Sequence, residues 1–232
     1  MGTVLEIPKI IYEDQSIIVA VKPPNMPSQK DRSRDIDIGT YLKEKANYKK
    51  TPYIGLIHRL DRPVGGVMVF AKTPKANSNL SEQIRQGIIN KKYLAVVQGK
   101  PDKNEATLTD YLVKLNNNFS KVTQETDNNS KKAVLDYYLL EHRELEEIGE
   151  CSLLEIDLKT GRHHQIRVQL SNAGLPVWGD SKYNNFRADN KEWNQIALFS
   201  HTISFIHPVT KKTISFSDLP QSFPFNLFER IK

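Results

Sequence analysis

The stretch GLIHRLDRPVGG, Gly55–Gly66, sets one carboxylate, Asp61, between Arg59 and Arg62 and closes on the pair Gly65–Gly66. Two guanidinium groups so near in sequence favour the ionised acid at neutral pH, and an ionised, positioned carboxylate can serve as a nucleophile. The glycines permit close backbone approach or dihedrals that a Cβ forbids. No second carboxylate lies in the stretch, so a glycosidase-type acid and base pair is not signalled there. The residues by themselves leave open an ordinary solvated loop aspartate paired with a neighbouring arginine. His58 either meets a phosphate or fixes the loop. His163 and His164 invite a zinc reading, but adjacent helical positions diverge by about 100° and the lone Cys151 offers no thiolate cluster, so no metal is expected.

The elements that must carry these residues are mostly strands. SIIVAVKPP reads as a buried strand stopped by Pro23 and Pro24, and GGVMVFAKT as another. The Asp61 stretch therefore leads into a buried strand. Thr73 and Pro74 occupy cap and first-turn positions of a short helix that spaces Ala76, Leu80 and Ile84 on one face and ends at Gly87. KKYLAVVQG returns as a strand, and SLLEIDLK alternates Leu154, Ile156 and Leu158 with charged partners. From His163 to Ala173 a helical stripe of Ile166, Leu170 and Ala173 ends at Gly174, which places Arg167 at the stripe's edge in a half-buried site. ALFSHTISF alternates again, and His201, on the face of Phe199, Ile203 and Phe205, reads as a hydrogen-bonded core histidine rather than a ligand. The polar run Lys114–Lys132 is rich in turn formers and reads as a hairpin or lobe edge. The pattern predicts an α+β fold with a largely antiparallel or mixed central sheet flanked by helices and loops.

The length, 232 residues, suits one domain, taken as 1–232. A net charge of +6 suits a polyanionic partner. The single cysteine excludes an internal disulfide framework and fits a reducing cytoplasm. Neither a signal-peptide pattern nor an apolar run long enough for a bilayer is present, which predicts a soluble, cytoplasmic protein without a membrane partner. The basic pairs Lys49–Lys50, Lys91–Lys92, Lys131–Lys132 and Lys211–Lys212 are singly ordinary solvated faces. Their sum favours RNA.

HRLDRPVGG resembles the motif of RluA-type pseudouridine synthases, whose aspartate lies in an H-R-L-D segment. Four further stretches match in the family's order: IIYEDQSIIVAVKPP, KKYLAVVQG, LKTGRHHQIRVQLSNAGLPVWGD and LFSHTISFIHPVT, together spanning about Ile10 to the C-terminus. The resemblance implies the family's catalytic fold and an isomerase that detaches the base of a uridine in structured RNA and rejoins it through carbon 5. It places Asp61 on the catalytic aspartate, Tyr93 on the active-site tyrosine and Arg167 on the basic residue that pairs with the aspartate. Arg59 falls on the arginine that enters the RNA stack where the base has flipped out, a role suited to a planar guanidinium. Arg62 and Arg162 flank the motifs and are candidate RNA contacts. Three routes stay open for Asp61: attack on the anomeric carbon, attack on carbon 6 of the base, or removal of a ribose proton. Tyr93 stacks on the base or takes the carbon 5 proton, the second role requiring a lowered pKa or a relay.

Some positions depart from the family. Val64-Gly65-Gly66 stands where Thr-Ser-Gly is common, His163 replaces a commoner threonine and Gln169 a commoner histidine, so contacts to the loop or RNA backbone are expected to differ there. The strand pattern begins by about Ile10, which leaves no room for the N-terminal RNA-binding domain of many relatives. The partner expected is structured RNA, ribosomal RNA ahead of transfer RNA. The default assembly is a monomer, and a redox-neutral isomerisation needs no cofactor. The rivals are a catalytically silent RNA-binding or ribosome-assembly protein of the same fold and a sugar- or nucleoside-processing hydrolase using Asp61.

Overall fold

The computed structural model describes residues 7–45, 53–146, 148–184 and 195–231. Lys49 and Lys50 fall outside them. The chain divides into two compact units, Met1–Lys91 with Ser200–Asp218 and Lys92–Phe199 with Leu219–Lys232.

In the first unit, β1 (Lys9–Glu13), β2 (Ile17–Lys22), β4 (Gly65–Ala71) and β10 (Leu198–Ile206) follow one another across a sheet, with β3 (Gly55–Leu56) paired to β4 and β11 (Thr213–Ser217) paired to β10. Uninterrupted apolar runs give strands buried on both faces, and all seven residues of β4 are buried. Ile17, Val19, Val67, Val69, Leu80, Ile203 and Phe205 form one cluster, each contributing roughly 1.5–3 kcal/mol of apolar burial. Helix α2 (Pro74–Arg85) covers it as the sequence predicts: the Thr73 hydroxyl accepts from the Ala76 N–H, Pro74 opens the first turn, and Gly87 follows at φ +69°. Helix α1 (Ile38–Lys45) is capped by Asp37, whose carboxylate accepts from the Thr40 N–H at 3.1 Å. His207 ties the two ends of this unit together, with Nε2 2.8 Å from Asp14 and Nδ1 accepting from the N–H groups of Val209 and Thr210. The expected hydrogen bond of His201 is present, Nδ1 lying 3.0 Å from the Asp218 carbonyl, but the ring is half-buried at the β10–β11 edge rather than in the core.

In the second unit, antiparallel pairing runs β5 (Asn90–Gln98), β9 (Gly149–Leu158), β8 (Lys131–Leu145), β6 (Glu105–Lys114) and β7 (Ser120–Thr123). The expected hairpin at Lys114–Lys132 is the β6–β7 pair at the sheet edge. Helix α3 (Gln165–Asn172) packs on β6 and β7 and ends before Gly174 at φ +76°. It starts two residues later than its apolar spacing predicts because His164 is left-handed, φ 55°. The helical argument against a shared ligand position therefore does not apply to the histidines: their rings stack at 3.8 Å, His163 reaching the Ser120 hydroxyl and His164 the Tyr183 hydroxyl. Strands outnumber helices throughout, as the α+β reading requires.

Candidate active site

The loop that carries Asp61 is fixed on both sides of the acid by the first unit. Val69 donates its N–H to His58 Nε2 at 3.3 Å, and burial, helped by the charge of Lys91, pushes the imidazole well below its usual range and keeps it neutral. Of the two roles open to His58, the structure shows the one that fixes the loop. The next anchor is Leu60, 6% exposed, whose N–H and C=O both bond the Ser28 hydroxyl, at 3.1 and 2.7 Å. One residue beyond the acid, the Arg62 carbonyl accepts from Lys22 Nζ at 3.1 Å, and the Val64 N–H closes a turn onto the Asp61 carbonyl at 2.9 Å. These attachments on both sides of the acid place Asp61, which is partly exposed, in an ordered loop.

Lys22 is the residue the sequence reading passes over. Its side chain is 0% exposed, and Nζ also donates to the carbonyls of Pro23 and Met26 at 3.0 and 2.7 Å. Burial pushes its pKa down to about 7, the carboxylate of Asp61 pulls it back up, and Arg62 pushes it down again. Three carbonyl oxygens satisfy all three donors of an ammonium. A cation that acts on Asp61 within this unit is thus buried under the loop at the end of β2. The only sign in the sequence is a lysine closing an apolar strand in IIVAVKPP.

The flanking arginines behave differently from each other. Arg59 is exposed and makes no ion pair among the described residues. Arg62 bends away to a second loop, pairing with Asp31 at 3.3 Å and with Asp35. Of the two glycines, Gly66 adopts φ +130°, and its missing Cβ makes room for the Ser200 backbone, whereas Gly65 needs no special dihedral.

Tyr93, Arg162 and Arg167 belong to the second unit. Tyr93 lies in β5 opposite Ile156 and is 6% exposed. The Arg162 Nε donates to the Lys132 carbonyl at 2.9 Å, which leaves the rest of an exposed side chain available. Arg167 is 3% exposed, not half-buried as its place on the stripe suggests, because α3 buries six consecutive residues rather than one face. Asp180 holds the guanidinium with both oxygens, at 2.8 and 2.6 Å, and the Tyr183 ring lies 5.2 Å from it. This forked, desolvated pair fixes the plane of the arginine. Asp180 closes the stretch LPVWGD, where nothing in its spacing announces an arginine partner thirteen residues earlier. Gln169 is fully buried and bonds Asp110, Leu108 and Ala133, which locks α3 to the sheet.

This fold and its Asp61 loop have a known class. The profile of the RNA pseudouridylate synthase family matches residues 16–172, and the chain belongs to that family. Among curated relatives it is 32% identical over 180 residues to ribosomal large subunit pseudouridine synthase C of Rickettsia bellii, covering 76% of this chain and 56% of that protein. It is 29% identical over 217 residues to an uncharacterised RNA pseudouridine synthase of Zymomonas mobilis, covering 93% and 95%. A further uncharacterised RNA pseudouridine synthase, from Bacillus subtilis, is 32% identical over 219 residues, covering 91% of this chain and 72% of that one. The chain thus spans just over half of the Rickettsia protein and nearly all of the Zymomonas one. The solved structure of human RNA pseudouridylate synthase domain containing 1 shares the fold, with a TM-score of 0.80, 19% identity, and coverage of 97% of this chain and 88% of that chain. No described helix is long and apolar enough to cross a membrane.

Proposed function

We propose that this chain isomerises uridine to pseudouridine in structured RNA, ribosomal RNA first, with Asp61 as the catalytic carboxylate. The observation that carries the reading is that the family match, residues 16–172, contains Asp61, Tyr93 and Arg167 together with the buried supports Lys22 and Ser28. In the reaction the C–N glycosidic bond breaks, the uracil turns within the pocket, and a C–C bond forms at carbon 5 with loss of that carbon's proton. Nothing is oxidised, so no cofactor is required. Asp61 acts on the ribose or on carbon 6. Tyr93 faces the base by stacking or as the proton acceptor, and Arg167 pairs with Asp61 in the working enzyme. The bidentate hold of Asp180 presets that arginine's orientation, so little reorganisation is needed as charge develops. Arg59, exposed and unpaired among the described residues, fills the gap left by the flipped base, and Arg162 meets the RNA backbone. Residues 1–232 act as one catalytic domain, and the name of the Rickettsia relative favours large-subunit RNA over transfer RNA.

The test is pseudouridine mapping of total RNA from a strain lacking the gene, after incubation with wild type or with Asp61→Asn. New sites made by wild type alone establish the activity and identify the RNA. If neither protein makes any, the silent RNA-binding reading replaces it.

A further inference from the structure

Between β2 and α1 the chain reads Lys30-Asp31-Arg32-Ser33-Arg34-Asp35, a charge alternation with period two. Asp31 and Asp35 pair at the surface with the Arg62 guanidinium, while Lys30, Arg32 and Arg34 are exposed and form no ion pair among the described residues. The Ser33 N–H donates to Asp31 at 2.7 Å and the Asp35 N–H to the Ser33 hydroxyl at 3.2 Å, which keeps the turn tight. Both ends of the loop are built into the first unit, through Ser28 on Leu60 and through Asp37 at the start of α1. Arg62 is one residue from Asp61. The loop's three outward cations are therefore held on the same scaffold as the catalytic aspartate.

We propose that Lys30, Arg32 and Arg34 grip the phosphate backbone of the RNA substrate and that Arg62, through Asp31 and Asp35, is the anchor of this loop rather than a phosphate contact itself. The inference rests on the RNA-modifying reading above. Its energetic logic is counterion release: each backbone phosphate neutralised steepens the salt dependence of binding, by about 0.7–0.9 in the log–log slope. With Arg62 paired to its two acids, the loop and its anchor together carry a net charge of +2, and the three cations outside that pairing are left for phosphate.

The experiment measures binding of the purified full chain to an unmodified large-subunit ribosomal RNA transcript over a range of salt concentrations. Lys30→Gln/Arg32→Gln/Arg34→Gln, all exposed positions, should melt like wild type, lose about two units of slope and bind about tenfold more weakly at low salt. Arg62→Gln and Asp31→Asn/Asp35→Asn should each weaken binding, and neither should weaken it further in the triple background. An unchanged slope in the triple variant overturns the proposal. So does a further unit of slope lost when Arg62→Gln is added to the triple variant, because Arg62 would then touch phosphate directly. Tighter binding by Asp31→Asn/Asp35→Asn also overturns it, making the acids competitors of RNA rather than an anchor. Pseudouridine formation by wild type with no effect of the triple variant sinks the loop alone; the expected slope loss without pseudouridine in wild type sinks the isomerase reading alone.

Discussion

Gly66→Ala isolates the close approach that seats the Asp61 loop on β4. A Cβ at this position would stand 2.3 Å from the Ser200 carbonyl oxygen, 2.5 Å from its nitrogen and 2.6 Å from its Cβ, where ordinary contact begins at 3.4 Å. Restoring contact means moving β4 or β10 by roughly 1 Å in a layer where residues 65–71 are all buried, an overpacking cost of about 1–3 kcal/mol. The dihedral, φ +130°, adds about 1–3 kcal/mol for a residue with a side chain. The sum is about 2–6 kcal/mol, or about 4–24 °C in melting temperature for a chain of this size. Gly65→Ala is the control. Its Cβ would meet Pro24 Cδ at 3.2 Å and the Lys22 carbonyl at 3.3 Å without a positive φ, so the loss should stay near 1 kcal/mol. Thermal melts of the two variants by circular dichroism decide. Gly66→Ala within about 2 °C of wild type, or Gly65→Ala the worse of the pair, would refute the packing argument.

Three further outcomes follow from charges and their supports. Burial holds Lys22 near 7, so between pH 7 and 10.5 the unfolded chain keeps a proton the native chain has given up, and stability rises with pH across that window by at most about 5 kcal/mol. Lys22→Met should flatten that rise, and equal pH slopes for the two proteins in urea titrations would contradict it. Burial disfavours the Asp14 carboxylate, but hydrogen bonds from the Ser16 and Ile17 N–H groups, His207 and the Ser16 hydroxyl outweigh it and hold the pKa at about 2. Its contribution of about 2 kcal/mol is therefore full above pH 4 and lost as the pH falls through 2, so Asp14→Asn should be weaker than wild type at pH 7 and indistinguishable near pH 2. Asp180→Asn leaves the buried Arg167 charge half-partnered, which predicts a loss of about 3–5 kcal/mol and of pseudouridine formation; a stable, fully active variant would remove Asp180 from the site.

The strands were legible because buried apolar runs and clean alternation survive without knowledge of neighbours: β2, β4, β5 and β9 lie where IIVAV, GGVMVFA, KKYLAVVQ and SLLEIDL place them. Asp61 was legible because its neighbours are unusual in type. The supports of the site were not. Lys22, Ser28 and Asp180 act through contacts made by folding, and each looks ordinary in its own stretch. Arg62 shows the same limit from the other side. Sequence proximity to Asp61 suggested one shared purpose for the two arginines, but the partners of Arg62 lie 27 and 31 residues upstream. Periodicity also misjudged Arg167, since a helix buried all round has no edge, and it started α3 too early because a left-handed His164 leaves no trace in apolar spacing.

The niche that accepts Gly66 is made by Ser200, whose hydroxyl bonds the Val67 carbonyl at 3.1 Å across 133 residues of chain. The order of synthesis therefore matters. At about 5–20 residues per second a ribosome needs roughly 7–27 s to pass from one partner to the other. During that interval β4 has left the ribosome without the strand that completes its core, while the whole of β5 to β9 is made in between. The Asp61 loop is thus translated well before the strand that supports it. Nascent chains arrested before residue 200 should leave β4 open to protease, and chains arrested once β11 has emerged should protect it; protection at the shorter length would show that the Asp61 loop sets without its distant partner.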